Sequence, residues 1–221
     1  MNKPSLNLSY FFVFALFCSF LLPSCMGDED EVATPKPHAY FRIALPEKEY
    51  VNYSGDCPFS FDIPTYSKIK IDDDAHAEPC WLFLDFPAFK GRLHLTYKSI
   101  NGNFDKYLEQ TYDMTSRHQV KASGIEEIPV SRKASNVYGI VYNVEGNAAS
   151  STQFFLTDSV HHFIRGALYL FEAPNADSTK PVIEFMRKDI QHMIETFKWE
   201  DKPIPVSSAK DSKSASTATH R

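Results

Sequence analysis

The chain has 221 residues, with 23 Lys and Arg against 28 Asp and Glu, a net charge of −5, 43% hydrophobic residues and 14% aromatic. This mild acidity argues against a nucleic-acid binder and against a basic face docked on anionic lipid, since both need clustered cations. Length and apolar content suit one ordinary domain with a proper core.

In chain order, Lys3 precedes an apolar run, Tyr10–Leu22, which meets Pro23, Ser24 and Cys25. A basic start, a short hydrophobic region and a small residue before a cut describe an export signal. The run falls short of the about 20 apolar residues that a membrane helix needs. Leu22, Ser24 and Cys25 sit where a bacterial lipobox places them, although Pro23 departs from its usual small residue. Residues 1–24 therefore read as a lipoprotein signal peptide, and Cys25 as the lipidated first residue of the mature chain. Removing 1–24 takes away only Lys3, so −5 becomes −6. Residues 25–38 form an acidic tether kept extended by Pro35 and Pro37. From Met26 to His38 it reaches about 40 Å at about 3.3 Å per residue. Its acidic run is similar to the signal of surface-exported lipoproteins, without their serine start. The tail, 201–221, is rich in Ser, Lys and Pro and is expected to be disordered. A single domain, 39–200, lies between.

Alternation and Gly/Pro/Asn punctuation predict strands over Tyr40–Leu45, Pro58–Ile63, Ser67–Asp72 and Cys80–Phe86. Phe59, Phe61 and Ile63 share one face, and Cys80–Phe86 is apolar on both, as a central strand would be. Gly91–Ile100 follows, with Leu93, Leu95 and Tyr97 inward. Asn103 then caps a helix whose stripe runs through Phe104, Tyr107, Leu108, Thr111, Met114 and Thr115 and ends by about Gly124. Val137–Val144, Thr152–Asp158 and His161–Ala173 read as a three-stranded meander. A last helix starts at a cap on Asp177 or Ser178, tolerates Pro181 in its first turn, and lays Val182, Phe185, Met186, Ile190, Met193, Ile194 and Phe197 on one apolar face. Elements arriving in blocks give an α+β class, a mostly antiparallel sheet packed with two main helices. Their order resembles the PsbP/Mog1-like sandwich.

Cys18 leaves with the signal and Cys25 is acylated, so Cys57 and Cys80 remain. An even pair in an oxidising envelope points to a disulfide, with two buried free thiols as the other reading. Neither CxxC nor HExxH spacing occurs, and His76, His94, His118 and His192 are scattered. Asp72–Asp74 lacks the glycine and glutamate of a calcium loop. No metal or cofactor is expected.

The densest chemistry lies in Thr157–Gly166, where Asp158, Ser159, His161, His162 and Arg165 supply the parts of a hydrolase triad. A serine in a hairpin turn, however, lacks the strand-to-helix elbow and the Gly-x-Ser-x-Gly context. Asp158-Ser159 reads better as turn chemistry, side chains capping backbone amides. Arg165 among aromatics calls for an anion, with Asp158 or another internal carboxylate favoured over an external ligand. The run Gly146–Ser151 is either a close-approach loop or a tight connection.

The segments "YFRIALPEKEY", "CPFSFDIPTY", "CWLFLDFPAFKGRLHLTYK", "RHQVKA", "VYGIVYNVEGNAASSTQFFLTDSVHHFIRGALYLFEAPNADS", "PVIEF" and "IETFKW", spanning residues 39–199, resemble the GldD gliding-motility lipoproteins of Bacteroidetes. The resemblance implies an envelope lipoprotein without known catalytic activity, needed for gliding motility and tied to type IX secretion. Its partners would be other envelope proteins of those systems, lipoproteins or membrane subunits. Cys57 and Cys80 belong to the family pattern, and no catalytic residue carries over.

The expected function is thus a non-catalytic accessory lipoprotein, held in the cell envelope by its lipid, in the outer membrane rather than the inner, facing periplasm or cell surface. Its candidate interaction surface joins Asn147, Ser150 and Gln153 of one turn and strand to Asp158, Ser159, His161, His162 and Arg165 of the neighbouring hairpin. Two other readings stay open. One is an envelope hydrolase using Ser159, either histidine and Asp158. The other is a small-ligand or glycan binder using the aromatic sheet face and Arg165.

Overall fold

The computed structural model describes residues 43–117, 121–171 and 176–205. The signal peptide, Cys25, the tether, the Tyr40–Arg42 part of the first expected strand, His118, the side chain of Asp177 and the tail from residue 206 lie outside them.

Among the described residues ten strands form two antiparallel sheets. The larger contains β3 (Lys68–Ile71), β4 (Leu82–Phe86), β5 (Gly91–Ser99), β6 (Ala122–Arg132), β7 (Val137–Gly146), β8 (Ser150–Thr157) and β9 (His162–Leu170), in the order β3-β4-β5-β9-β8-β7-β6. The smaller has β2 (Phe59–Pro64) between β1 (Tyr50–Ser54) and the two-residue β10 (Lys198–Trp199). Two α-helices, α1 (Phe104–Ser116) and α2 (Ala176–Thr196), complete the α+β class expected from the sequence.

Alternation decides which side chains meet. Leu93, Leu95 and Tyr97 of β5, Phe154 and Leu156 of β8, and Ile164 and Leu168 of β9 point to one side, where they meet Phe59 and Phe61 of β2 and the apolar face of α2. Met186, Ile190, Met193 and Ile194 are all buried there, and Phe197 closes the layer one residue past the helix. Gly166 keeps that layer thin: a Cβ there would stand 2.2 Å from the Phe154 ring. Part of the other side is covered by α1, whose Phe104, Tyr107 and Leu108 sit on a small cluster of Ile100, Tyr142, Phe155 and Phe163.

Several elements differ from expectation. Residues 43–45 carry no strand, and the first described strand is β1, whose exposed Val51 and polar neighbours hide its alternation. The first described helix stops at Ser116, and β6 covers Ala122 to Gly124, where the expected helix runs on. As an edge strand paired only with β7, β6 is largely solvated, so Glu126, Glu127 and Pro129 are tolerated and no apolar period appears. Met114 is 45% exposed, while Thr111 and Thr115 take the inward places. Asn103 makes no side-chain cap; it accepts from the Asn101 amide and donates to the Tyr107 hydroxyl. The last helix begins at Ala176, so Ser178 lies inside it. Strand β4 is second from the edge rather than central.

Cys57 and Cys80 are bonded, with Cα atoms 5.6 Å apart. The bond ties the start of β2 to the chain entering β4 and stabilises by about 3 kcal/mol through unfolded-state entropy.

The two layers are also fastened by one buried charge. Asp189 of α2 is 1% exposed and accepts from Lys48 Nζ (2.5 Å), from the Tyr50 hydroxyl (2.9 Å) and from the Tyr66 hydroxyl. Burial, then the bond to this carboxylate, pushes both phenols well above their ordinary pKa. Removing the charge strands three donors. Asp189→Asn should lower unfolding free energy by about 3 kcal/mol in urea titrations, and Tyr50→Phe should cost much less in the Asn background than in wild type.

Candidate functional site

The β8–β9 hairpin is built by its own side chains. Asp158 Oδ1 accepts from the amides of Val160 (3.0 Å), His161 (2.8 Å) and His162 (2.8 Å). Thr157 Oγ1 accepts from the Ser159 amide and donates to the His162 carbonyl. Ser159 takes φ 69°, the left-handed conformation such a tight turn demands. Burial pushes the Asp158 carboxyl up, but the three amides, joined by nearby His162, outweigh it and hold its pKa below the usual range. Asp158 thus does the capping expected of it, with Thr157 rather than Ser159 as its side-chain companion.

A triad is not assembled. His161 is 74% exposed, and its Nδ1 stands 3.7 Å from Asp158 Oδ2. Among the described residues neither histidine hydrogen-bonds the Ser159 hydroxyl, and Asp158 is occupied by backbone. The His162 ring turns inward instead: its Nδ1 is 2.7 Å from the Tyr97 hydroxyl, and its face stacks on Trp199 at 5.0 Å and 17°. Trp199 Nε1 in turn donates to the Asn136 carbonyl. Burial lowers the His162 pKa, partly offset by Asp158. Around this pair opens a cleft of about 570 Å³, lined by Ser135, Asn136, Asp158, His162 and the segment 198–202. It carries both signs of charge and an aromatic floor, the makings of a contact surface for another protein.

A family model described as gliding motility lipoprotein GldD matches residues 30–199. The chain belongs to this family. The GldD match takes in the hairpin, the buried Tyr97 behind His162, and Trp199 of the cleft. No curated protein matches the chain significantly. Among solved structures it is similar to the solution structure of cyanobacterial PsbP (CyanoP) from Synechocystis sp. PCC 6803, at 11% identity and TM-score 0.43, over 72% of this chain and 97% of that one. At that level the likeness says nothing about what a GldD protein binds. Among the described residues no helix is long and apolar enough to cross a membrane, and no three His, Cys, Asp or Glu side chains converge as metal ligands.

The structure divides the expected interaction surface of this GldD protein. The Asn147 turn and the Asp158–His161 turn lie at opposite ends of β8, about 25 Å apart for an eight-residue strand. They do not form one patch, because successive turns of a meander alternate ends. Ser150 and Gln153 are fully buried and cannot meet a partner. Asp158, Ser159, His161 and His162 do share the hairpin end. Arg165 lies mid-strand, opposite Thr96 and Phe155, and donates to Gln153 Oε1. Among the described residues no carboxylate pairs with it, so the expected internal salt bridge is absent. The residues missed were Trp199 and Tyr97. Tyr97 read as core, and nothing local marks Trp199, whose strand exists only by pairing with Phe59.

Asp158→Ala should cost about 2 kcal/mol, since its carboxylate holds three amides, whereas Ser159→Ala should leave the melting temperature unchanged; thermal denaturation compares them. His162 is depressed on folding, so the unfolded chain takes up a proton first. Stability should fall as pH drops through 6.5, and level out once the folded ring also titrates. His94 shifts the same way, so His162→Gln should flatten the melting-temperature profile only in part.

Proposed function

We propose that the chain is an envelope lipoprotein serving gliding motility, type IX secretion or both as a non-catalytic accessory component. It acts by contact with other envelope lipoproteins or membrane subunits of those systems. In this reading residues 1–24 are removed, Cys25 carries the acyl chains in the outer membrane, and residues 25–38 are the leash. Residues 39–200 then offer the hairpin end to partners on the periplasmic side or at the cell surface.

The observation that carries this is the hairpin end. A turn stiffened by Asp158 presents the exposed His161 beside the His162–Trp199 stack and the open cleft. Tryptophan at a preformed cleft is the side chain most often found at the energetic centre of protein contacts. Family membership supports the motility and lipoprotein parts of the reading.

The test is co-purification from membranes. A variant with Lys198→Glu, Asp201→Lys and His161→Ala, all at exposed positions, should keep its melting temperature while losing secretion-machinery subunits, cargo export and surface spreading. Should that variant keep all three while Ser159→Ala abolishes them, the protein works as a hydrolase and the contact reading fails.

A further inference from the structure

On the outer side of the large sheet, α1 leaves a second cleft of about 250 Å³ against β5 and β9. Its walls are apolar, with Trp81, Tyr107, Met114 and Phe163, and its polar members include Lys98 and Arg165. Among the described residues no acidic side chain lines it. Lys98 is committed, paired with Glu78 and 5.0 Å above the Trp81 ring. Arg165 has no such anion. It donates to Gln153 and hydrogen-bonds Tyr169, both neutral groups, and its Nε is buried without a partner. Gln153, held by that bond with Oε1 toward the guanidinium, has an equally unpartnered Nε2.

The neighbouring cation shows what is missing. Two positions along the same sheet face, Arg92 meets Asp85 through two nitrogens, at 2.5 and 3.1 Å, and Lys70 joins them at 2.8 Å. There the cations hold a carboxylate in direct contact, whereas Arg165, the cation lining the cleft beside Lys98, has a half-buried guanidinium and no anionic acceptor among the described residues. A buried charge left uncompensated is costly, and every unmet group here is a donor. From this geometry we infer that the cleft is a binding site for a carboxylate joined to an apolar body of about amino-acid size.

Charge and volume choose that class. One guanidinium without an anionic partner matches a monoanion better than a phosphomonoester, which carries about −1.5 to −2. The guanidinium fork suits a carboxylate, and the aromatic and methionine walls suit an aromatic or branched side chain. A 250 Å³ cleft holds one such residue. The ligand could arrive free or as the C-terminal residue of a protein, since both offer the same chemistry. The inference does not depend on the hairpin surface, which lies at the end of the strands.

The test is calorimetric titration of the purified protein with four probes: N-acetyl-phenylalanine, its amide, and a hexapeptide ending in phenylalanine with free or amidated C-terminus. Both acids should bind, with amidation weakening each by about tenfold or more, the worth of a charge-assisted bond. Binding of the hexapeptide acid alone would assign the site to protein termini, and binding of the small acid alone to free ligands; either sustains the carboxylate class. Arg165→Gln should abolish binding. Because that change alters the interior, Gln110→Glu is the companion: it adds a carboxylate from the exposed rim of the cleft, and should raise the melting temperature while blocking both acids. Amides that bind as well as acids, inorganic phosphate that binds where the acids do not, or no heat from any probe would overturn the inference.

Discussion

One buried carboxylate sets the register of this molecule. Asp189 sits on the inward face of α2, where an unpaired charge would be intolerable, and so requires donors from elsewhere in the chain. They come from Lys48 and Tyr50 at the start of the small sheet and Tyr66 after β2. Directional bonds to one carboxylate tell the helix which way round to lie on the small sheet, something greasy surfaces alone specify poorly. The consequence reaches the far end of α2. With the helix fixed, Phe197 enters the core and Lys198–Trp199 falls against β2 as β10. Trp199 thereby arrives over His162, ten residues along the chain from the charge that positioned it.

Other contacts hold that arrangement at its two ends. Arg132, at the end of β6, donates to the carbonyls of Ile194 and Phe197, satisfying the exposed C-terminal turn of α2 with a cation where the helix dipole favours one. Arg187 reaches from the same helix to Glu145 and to the carbonyls of Val144 and Ser151, clamping the β7–β8 turn. The β7–β8 turn is thus structural in part, while the opposite hairpin, stiffened by its own Asp158 and Thr157, is left open to solvent.

The outer sheet face shows how charge is distributed by topology. Residues two apart on β5 and opposite one another on β4 and β9 form a continuous row, in which Arg92 finds Asp85 but Arg165 finds the neutral Gln153 and Tyr169. Burial pushes the Arg165 guanidinium down from its ordinary range, with Tyr169 alongside partly offsetting this. A protein can carry that imbalance when an external acceptor completes it, which separates this side of the molecule from the hairpin end in chemistry as well as position.

What the sequence determined by itself was whatever short-range physics controls. The alternation in Gly91–Ser99, the stripe on α2, and the Asp158 turn were all legible, because each depends on neighbours within a few residues. Family motifs marked the chain as a GldD lipoprotein for the same reason, being contiguous runs. Only the tertiary structure decided the rest. The two-residue β10 exists through a partner far away in the chain, and the edge strands β1 and β6, though each pairs with the next strand, are too solvated to carry a period of their own. The separation of the two turns, the burial of Ser150 and Gln153, and the lack of a carboxylate beside Arg165 follow from which strands lie side by side. Pairing between residues far apart in the chain leaves no local trace, since it is settled by the core that all the elements bury together.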